Sequence, residues 1–146
     1  MSKDPQQVLQ SLYMESQLTE QNLGLIQQRL EFSQVLLNSY RTGLMVLEEL
    51  EQRKEGEEML MNIGGSMYVR ANLSNPDIVT RTLGSGVKIE QSLEDAKKSV
   101  EEAITAIEAQ YKHLAEEHNK LLAHSSKLNA EMNRLVALIQ GQGTGE

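Results

Sequence analysis

The chain has 146 residues, no cysteine and only 3% aromatic residues. That excludes disulfides, thiolate metal sites and cysteine nucleophiles, and it leaves too few large rings for a thick globular core. A formal net charge of −7 speaks against a nucleic-acid binder, whose affinity would rest on Lys and Arg.

No stretch reaches the ~20 apolar residues of a membrane span, and the segment MSKDPQQVLQ lacks the apolar run of a signal peptide. One domain is expected, in the cytoplasm, with no membrane partner and with the Asn72-Leu73-Ser74 sequon unused.

A first helix is predicted over residues 5–57. Asp4 suits the N-cap, Pro5 the first helical position, and Gln7 the third residue of a capping box. From Leu9 a 3-4 spacing runs through Leu12, Ser16, Thr19, Leu23, Ile26, Leu30, Ser33, Leu37, Tyr40, Leu44, Leu47 and Glu51. Nine of these thirteen are apolar, which makes a heptad seam. Arg53 and Lys54 fall where cations favour a helix C-terminus, and Gly56 reads as the stop. Gly43 costs roughly 1 kcal/mol against Ala, too little to break so long a helix.

The period then changes. Met67, Val69, Ala71 and Leu73 alternate with polar neighbours, the pattern of a strand with one face buried. Ile78–Leu83 is β-branched, residues 87–90 alternate again, and Met59–Ile63 is a fainter strand. Gly64-Gly65, Ser74-Asn75-Pro76-Asp77 and Gly84-Ser85-Gly86 separate them as turns. Residues 59–91 therefore read as two β-hairpins. Their open edges and sparse core call for pairing with other subunits, in a shared sheet or barrel.

A second helix is predicted over residues 92–140. Ser92 is its N-cap and Asp95 the acid three residues on. Its seam runs through Leu93, Ala96, Val100, Ala103, Ile107, Tyr111, Leu114, His118, Leu121, Ser125, Leu128, Met132, Leu135 and Ile139, with a stutter at Tyr111. Residues 141–146 read as a flexible tail. Each helix would be roughly 75 Å long. A connector too short to run back along them requires antiparallel pairing. The fold class is α+β, mainly α: a long antiparallel two-helix coiled coil joined by two β-hairpins.

Signals for chemistry are thin. Gly84-Ser85-Gly86 lacks the third glycine of a dinucleotide loop and reads as a turn. His113, His118 and His124 are five and six residues apart, not the four that places two ligands on one helix face. Acidic clusters such as Glu48-Glu49-Glu51 read as solvated faces. No metal, no cofactor and no enzymatic activity are expected. The ends of the helices carry surplus apolar residues, Val8, Tyr13 and Met14 on one side and Val136 and Leu138 on the other, which read either as ordinary packing at a fraying coil end or as an adaptable Met-containing surface for changeable partners.

Helix, two hairpins, helix resembles the α-type subunit of the prefoldin family; the β-type carries one hairpin. The run Met61-Asn62-Ile63-Gly64-Gly65-Ser66-Met67-Tyr68-Val69 is similar to the family's glycine turn and second strand. Leu83–Glu90 followed by Leu93–Ala96 is similar to the join into the second helix. A Pro that often precedes the Gly pair is replaced here by Asn62-Ile63.

The resemblance implies a subunit of an ATP-independent holdase chaperone. Two α-type and four β-type subunits would join their hairpins in an intersubunit β-barrel, grip unfolded client proteins with coiled-coil tips and deliver them to a group II chaperonin. Carried over, Met67, Val69, Ile78, Val79, Val87 and Ile89 would be assembly contacts. Leu9, Leu12, Tyr13, Met14, Met132, Leu135 and Ile139 would be client contacts. The rival readings are a prefoldin-like chain that self-polymerises into filaments through the same hairpins, and a generic coiled-coil scaffold or tether.

Overall fold

A computed structural model describes residues 4–143. The element order is α1 (Pro5–Leu50), β1 (Glu58–Gly64), β2 (Met67–Asn72), β3 (Ile78–Gly84), β4 (Val87–Ser92) and α2 (Leu93–Gln142). The described residues fall into two compact units: one joins α1 up to Gln34 with α2 from Ala109 onward, the other spans Val35–Glu108.

The helix starts follow the expected capping. The Gln6 N–H donates to Asp4 Oδ1 at 3.2 Å, and the Val8 N–H to the Asp4 carbonyl at 3.1 Å. At α2 the Asp95 N–H donates to Ser92 Oγ at 3.2 Å, while Glu94 and Asp95 place negative charge on the first turn.

The end of α1 differs from the expectation. It stops at Leu50, short of residue 57. The Gln52 and Arg53 N–H groups bond only three residues back, to Glu49 and Leu50, which tightens and ends the helix. Gly56, at φ +83°, belongs to a separate turn closed by the Glu57 N–H on the Lys54 carbonyl. Arg53 braces both segments by ion pairs to Glu49 and Glu57. At the other terminus α2 runs to Gln142, past the expected residue 140; the rest of the expected tail, beyond Gly143, lies outside the described residues.

In the unit of Gln34 and Ala109, every predicted seam residue of both helices is buried or half-buried. Leu30, Leu114, Leu128 and Leu135 are its most enclosed aliphatic side chains, and Ser16, Thr19 and Ser33 are buried beside them. The Thr19 hydroxyl is satisfied inside its own helix, donating to the Glu15 carbonyl at 2.8 Å. The antiparallel order shows in two places: His124 Nε2 lies 2.9 Å from Glu15 Oε1, and nearer the start of α1 Leu9 shares a groove with Met132 and Ile139.

In the unit Val35–Glu108, Leu37, Leu93 and Ala96 are the buried aliphatic side chains. Ion pairs join Arg41 to Glu108 at 2.8 Å and Lys97 to Glu51 at 3.2 Å. Two separate antiparallel hairpins, β1-β2 and β3-β4, lie between the helices in sequence. Both close on the same device. Gly65-Ser66 and Ser85-Gly86 all have positive φ, as a two-residue type I′ turn demands, and Gly64 (φ +95°) and Gly84 (φ +119°) form a bulge just before it. The first bulge is held by the Gly64 N–H on Asn62 Oδ1 at 2.8 Å.

The hairpins correct one expectation. The face of Met67, Val69, Ala71 and Leu73 is expected to be buried, yet Met67 and Val69 are exposed, and Ala71 and Leu73 are half-covered. Among the described residues each sheet has just two strands, so no layer lies behind that face. A lone hairpin cannot cover its own apolar side.

Candidate functional site

Two surfaces carry the residues singled out from the sequence. The first is on the hairpins. In β1-β2, Met61 pairs with Val69 and Met59 with Ala71, so these four and Met67 share one face, with Leu60, Tyr68 and Arg70 on the other. In β3-β4, Val79 pairs with Gln91, Arg81 with Ile89 and Gly84 with Val87, which puts Val79, Val87 and Ile89 on one face. Ile78 sits opposite Ser92 and points to the reverse face. The six expected assembly residues therefore do not share a single face: five lie on the two faces just described and Ile78 does not.

Met59 and Met61 belong to this surface and were missed in the sequence. Leu60 between them interrupts the polar-apolar alternation that would have revealed it. The surface is apolar and open: Met61, Met67 and Val87 are exposed, and Val79 and Ile89 half-covered. Beside it, Val46, Leu50, Met59, Leu60 and Leu73 line a cavity of about 320 Å³, rimmed by Glu49, Arg53 and Glu57. The Gly56 N–H and Leu73 carbonyl, 2.7 Å apart, hold the end of β2 against the turn after α1. The Asp77 carbonyl accepts from the Leu93 N–H at 2.8 Å and ties the second hairpin to α2.

The second surface lies where the start of α1 meets the end of α2. Leu9, Tyr13, Met132, Val136 and Ile139 line an open groove of about 540 Å³, with Gln6 and Gln10 at its edge. Four expected client contacts, Leu9, Tyr13, Met132 and Ile139, are brought together there. Leu12 and Leu135 are not: both are seam residues, and Leu135 is only 8% exposed. Met14 is well exposed on α1 but stands outside the groove. Val136 joins it because it follows Leu135 on the helix and turns out of the seam, the surplus apolar position visible in the sequence.

The charges are structural. Every ion pair described is at least partly solvated, and such pairs brace more than they react. The Arg53 guanidinium is held above its ordinary value by its hydrogen bond and charge pairing with Glu49, assisted by Glu57. The Lys97 ammonium is likewise raised by hydrogen bonding to Glu51 and by that carboxylate's charge. Among the described residues no group of three or more His, Asp or Glu side chains is placed to hold a metal ion.

A family model for the prefoldin subunit matches residues 19–138, which takes in both hairpins and most of both helices. The chain belongs to the prefoldin family. Its relatives include prefoldin subunit alpha of Archaeoglobus fulgidus, 26% identical over 80% of this chain and 85% of that one. Prefoldin subunit alpha of Methanobrevibacter smithii is 28% identical over 93% and 92%, and human prefoldin subunit 5 is 28% identical over 77% and 75%.

Among solved structures, the filamentous PFD of Methanocaldococcus jannaschii shares the fold with a TM-score of 0.67 at 20% identity, covering 82% of this chain and 98% of that one. The prefoldin beta subunit of Thermococcus strain KS-1 follows with a TM-score of 0.60 at 17% identity, covering 86% and 90%. The chain is a prefoldin-type chaperone subunit, and its two hairpins match the α-type layout.

Proposed function

We propose that this prefoldin subunit acts as an ATP-independent holdase in the cytoplasm. It assembles through its hairpins with β-type subunits, two α with four β, around an intersubunit β-barrel. It captures unfolded proteins at the terminal end of its helix pair and passes them to a group II chaperonin. The observation that carries the reading is the coexistence of two uncovered apolar surfaces, the hairpin faces and the groove of Leu9, Tyr13, Met132, Val136 and Ile139. A chain that needed neither would bury or charge them.

The groove suits a holdase because it is shallow, open and lined by Met and branched aliphatics, which adapt to many sequences and release them without a chemical step. Its test is aggregation suppression by the chain assembled with a β-type partner. Replacing Tyr13, Met132 and Val136 with Ser is expected to abolish most of the suppression while the assembly keeps its size. Full suppression by that triple variant would overturn the client assignment.

A second reading is favoured by the likeness to a filamentous PFD: the chain polymerises with itself through the same hairpins. Light scattering of the isolated chain separates the two, since long polymers support the filament and small species awaiting a β-type partner support the hetero-oligomer.

A further inference from the structure

The two hairpins are built on one plan but faced with different chemistry. On β1-β2 the open face carries Met59, Met61 and Met67 around Val69 and Ala71. The corresponding face of β3-β4 carries Val79, Val87 and Ile89 and no sulfur. Strands favour β-branched side chains of that kind, so strand propensity does not account for three thioethers. They are three of the seven methionines in the chain, gathered on one side of a single ribbon. The reverse side, with Leu60, Tyr68 and Arg70, has none.

Their placement favours oxidation. Met59 lies opposite Ala71 and Met61 opposite Val69, and the three methionines are between 42% and 59% exposed. The chain has no cysteine to intercept an oxidant first, which leaves these thioethers among its most accessible reducing groups. Met14 and Met45 are exposed as well, but each stands singly on α1.

We infer that Met59, Met61 and Met67 form a modification site at which oxidation by a peroxide blocks assembly through the first hairpin. The inference rests on the assembly role proposed for that face. In the step, a thioether sulfur attacks one oxygen of hydrogen peroxide. The O–O bond breaks, an S–O bond forms, and the second oxygen leaves as water with the proton of the first. Sulfur gives up two electrons and the peroxide takes them. The product is a methionine sulfoxide, polar where the thioether was apolar. A partner covering the face would then bury sulfoxide oxygens with only Val69 and Ala71 beside them on this hairpin, and a buried polar group without a hydrogen bond is costly. No third strand packs on the ribbon among the described residues, so its own pairing survives the change and association alone is lost. A methionine sulfoxide reductase reverses the step, two thiols passing to a disulfide as thioether and water form.

The test needs no substitution. The full-length chain is partly oxidised with hydrogen peroxide, freed of it, and mixed with a limiting amount of a β-type prefoldin subunit. Size-exclusion chromatography separates assembled from unassembled chain, and peptide mass spectrometry reads the sulfoxide at each methionine in both pools. Sulfoxides at Met59, Met61 and Met67 are expected to be enriched about tenfold or more in the unassembled pool, and those at Met14 and Met45 to be spread evenly. Reduction by sulfoxide reductases for both epimers, with dithiothreitol, should let the unassembled pool assemble when more β-type subunit is added.

Equal sulfoxide at Met59, Met61 and Met67 in the two pools overturns this inference and leaves the assembly reading intact, because the untreated chain still assembles. Enrichment at Met14, Met45 or Met132 in their place puts the block elsewhere and overturns it too. Loss of the circular dichroism of the folded chain on oxidation would show damage to the fold and has the same consequence. An untreated chain that does not assemble overturns the assembly reading and this inference together.

Discussion

Leu37 shows how much a single seam position carries. It is 5% exposed in a pairing only two helices thick, so neighbours cannot close over a void from a second layer. Leu37→Ala is expected to cost about 3 kcal/mol, read as a lowered denaturant midpoint with an unchanged slope. Glycine positions divide by conformation. Gly84, at φ +119°, sits where L residues are strained, and Gly84→Ala should destabilise its hairpin by about 1–3 kcal/mol. Gly24→Ala meets no contact and should stabilise the helix by up to ~1 kcal/mol in thermal melts of the dilute chain.

Lys97 gives a pH prediction. Its pKa is raised in the folded state by Glu51, so its contribution is complete below the ordinary lysine value and is lost as pH rises through the higher folded value. The difference in melting temperature between wild type and Lys97→Gln should hold constant from neutral pH and disappear in strong alkali.

At the scale of elements, the helices and the hairpins differ in what they need. α1 and α2 bury their seams against each other within each unit, and their caps satisfy the first turns. The hairpins have correct turns and registers but no covering layer. Their stability has to come from another chain, because two-stranded ribbons are marginal in water. Met61→Lys with Val69→Lys places two charges on the exposed apolar face of β1-β2 without touching a backbone hydrogen bond. Size-exclusion chromatography with a β-type partner is expected to show lost assembly, and circular dichroism to show unchanged helix content.

The Arg53 bracket at the end of α1 explains why cations near a helix end did not locate that end. Arg53 serves as a side-chain tie between Glu49, in the last turn of α1, and Glu57 beyond it. Gly56 was visible as a stop signal, but it closes a turn of its own.

For the molecule as a whole, local periodicity was enough to identify both seams except at Glu51, which lies past the end of α1 and is exposed, paired with Lys97. A helix pair with one partner face has only one way to bury a 3-4 row, and the Ser and Thr members of the row followed the aliphatic ones inside. Turn chemistry was as legible, since only Gly-rich pairs accept two successive positive φ values. The family resemblance rested on those turns and on the joins beside them.

Other properties depended on the folded chain. Ile78 and Val79 look equivalent in sequence, and only the strand register shows that they face opposite ways. Leu12 and Leu135 carry two readings in the sequence, as seam residues and, by resemblance, as client contacts. In the folded chain Leu12 is half-buried and Leu135 buried, while Tyr13 and Val136 are exposed. The exposed row of Leu18, Leu25 and Phe32 was hidden among the seam's own leucines. Composition and spacing determine which residues share a helical or strand face. Which of those faces is covered is a matter of what lies across from it, and that is decided by tertiary structure alone.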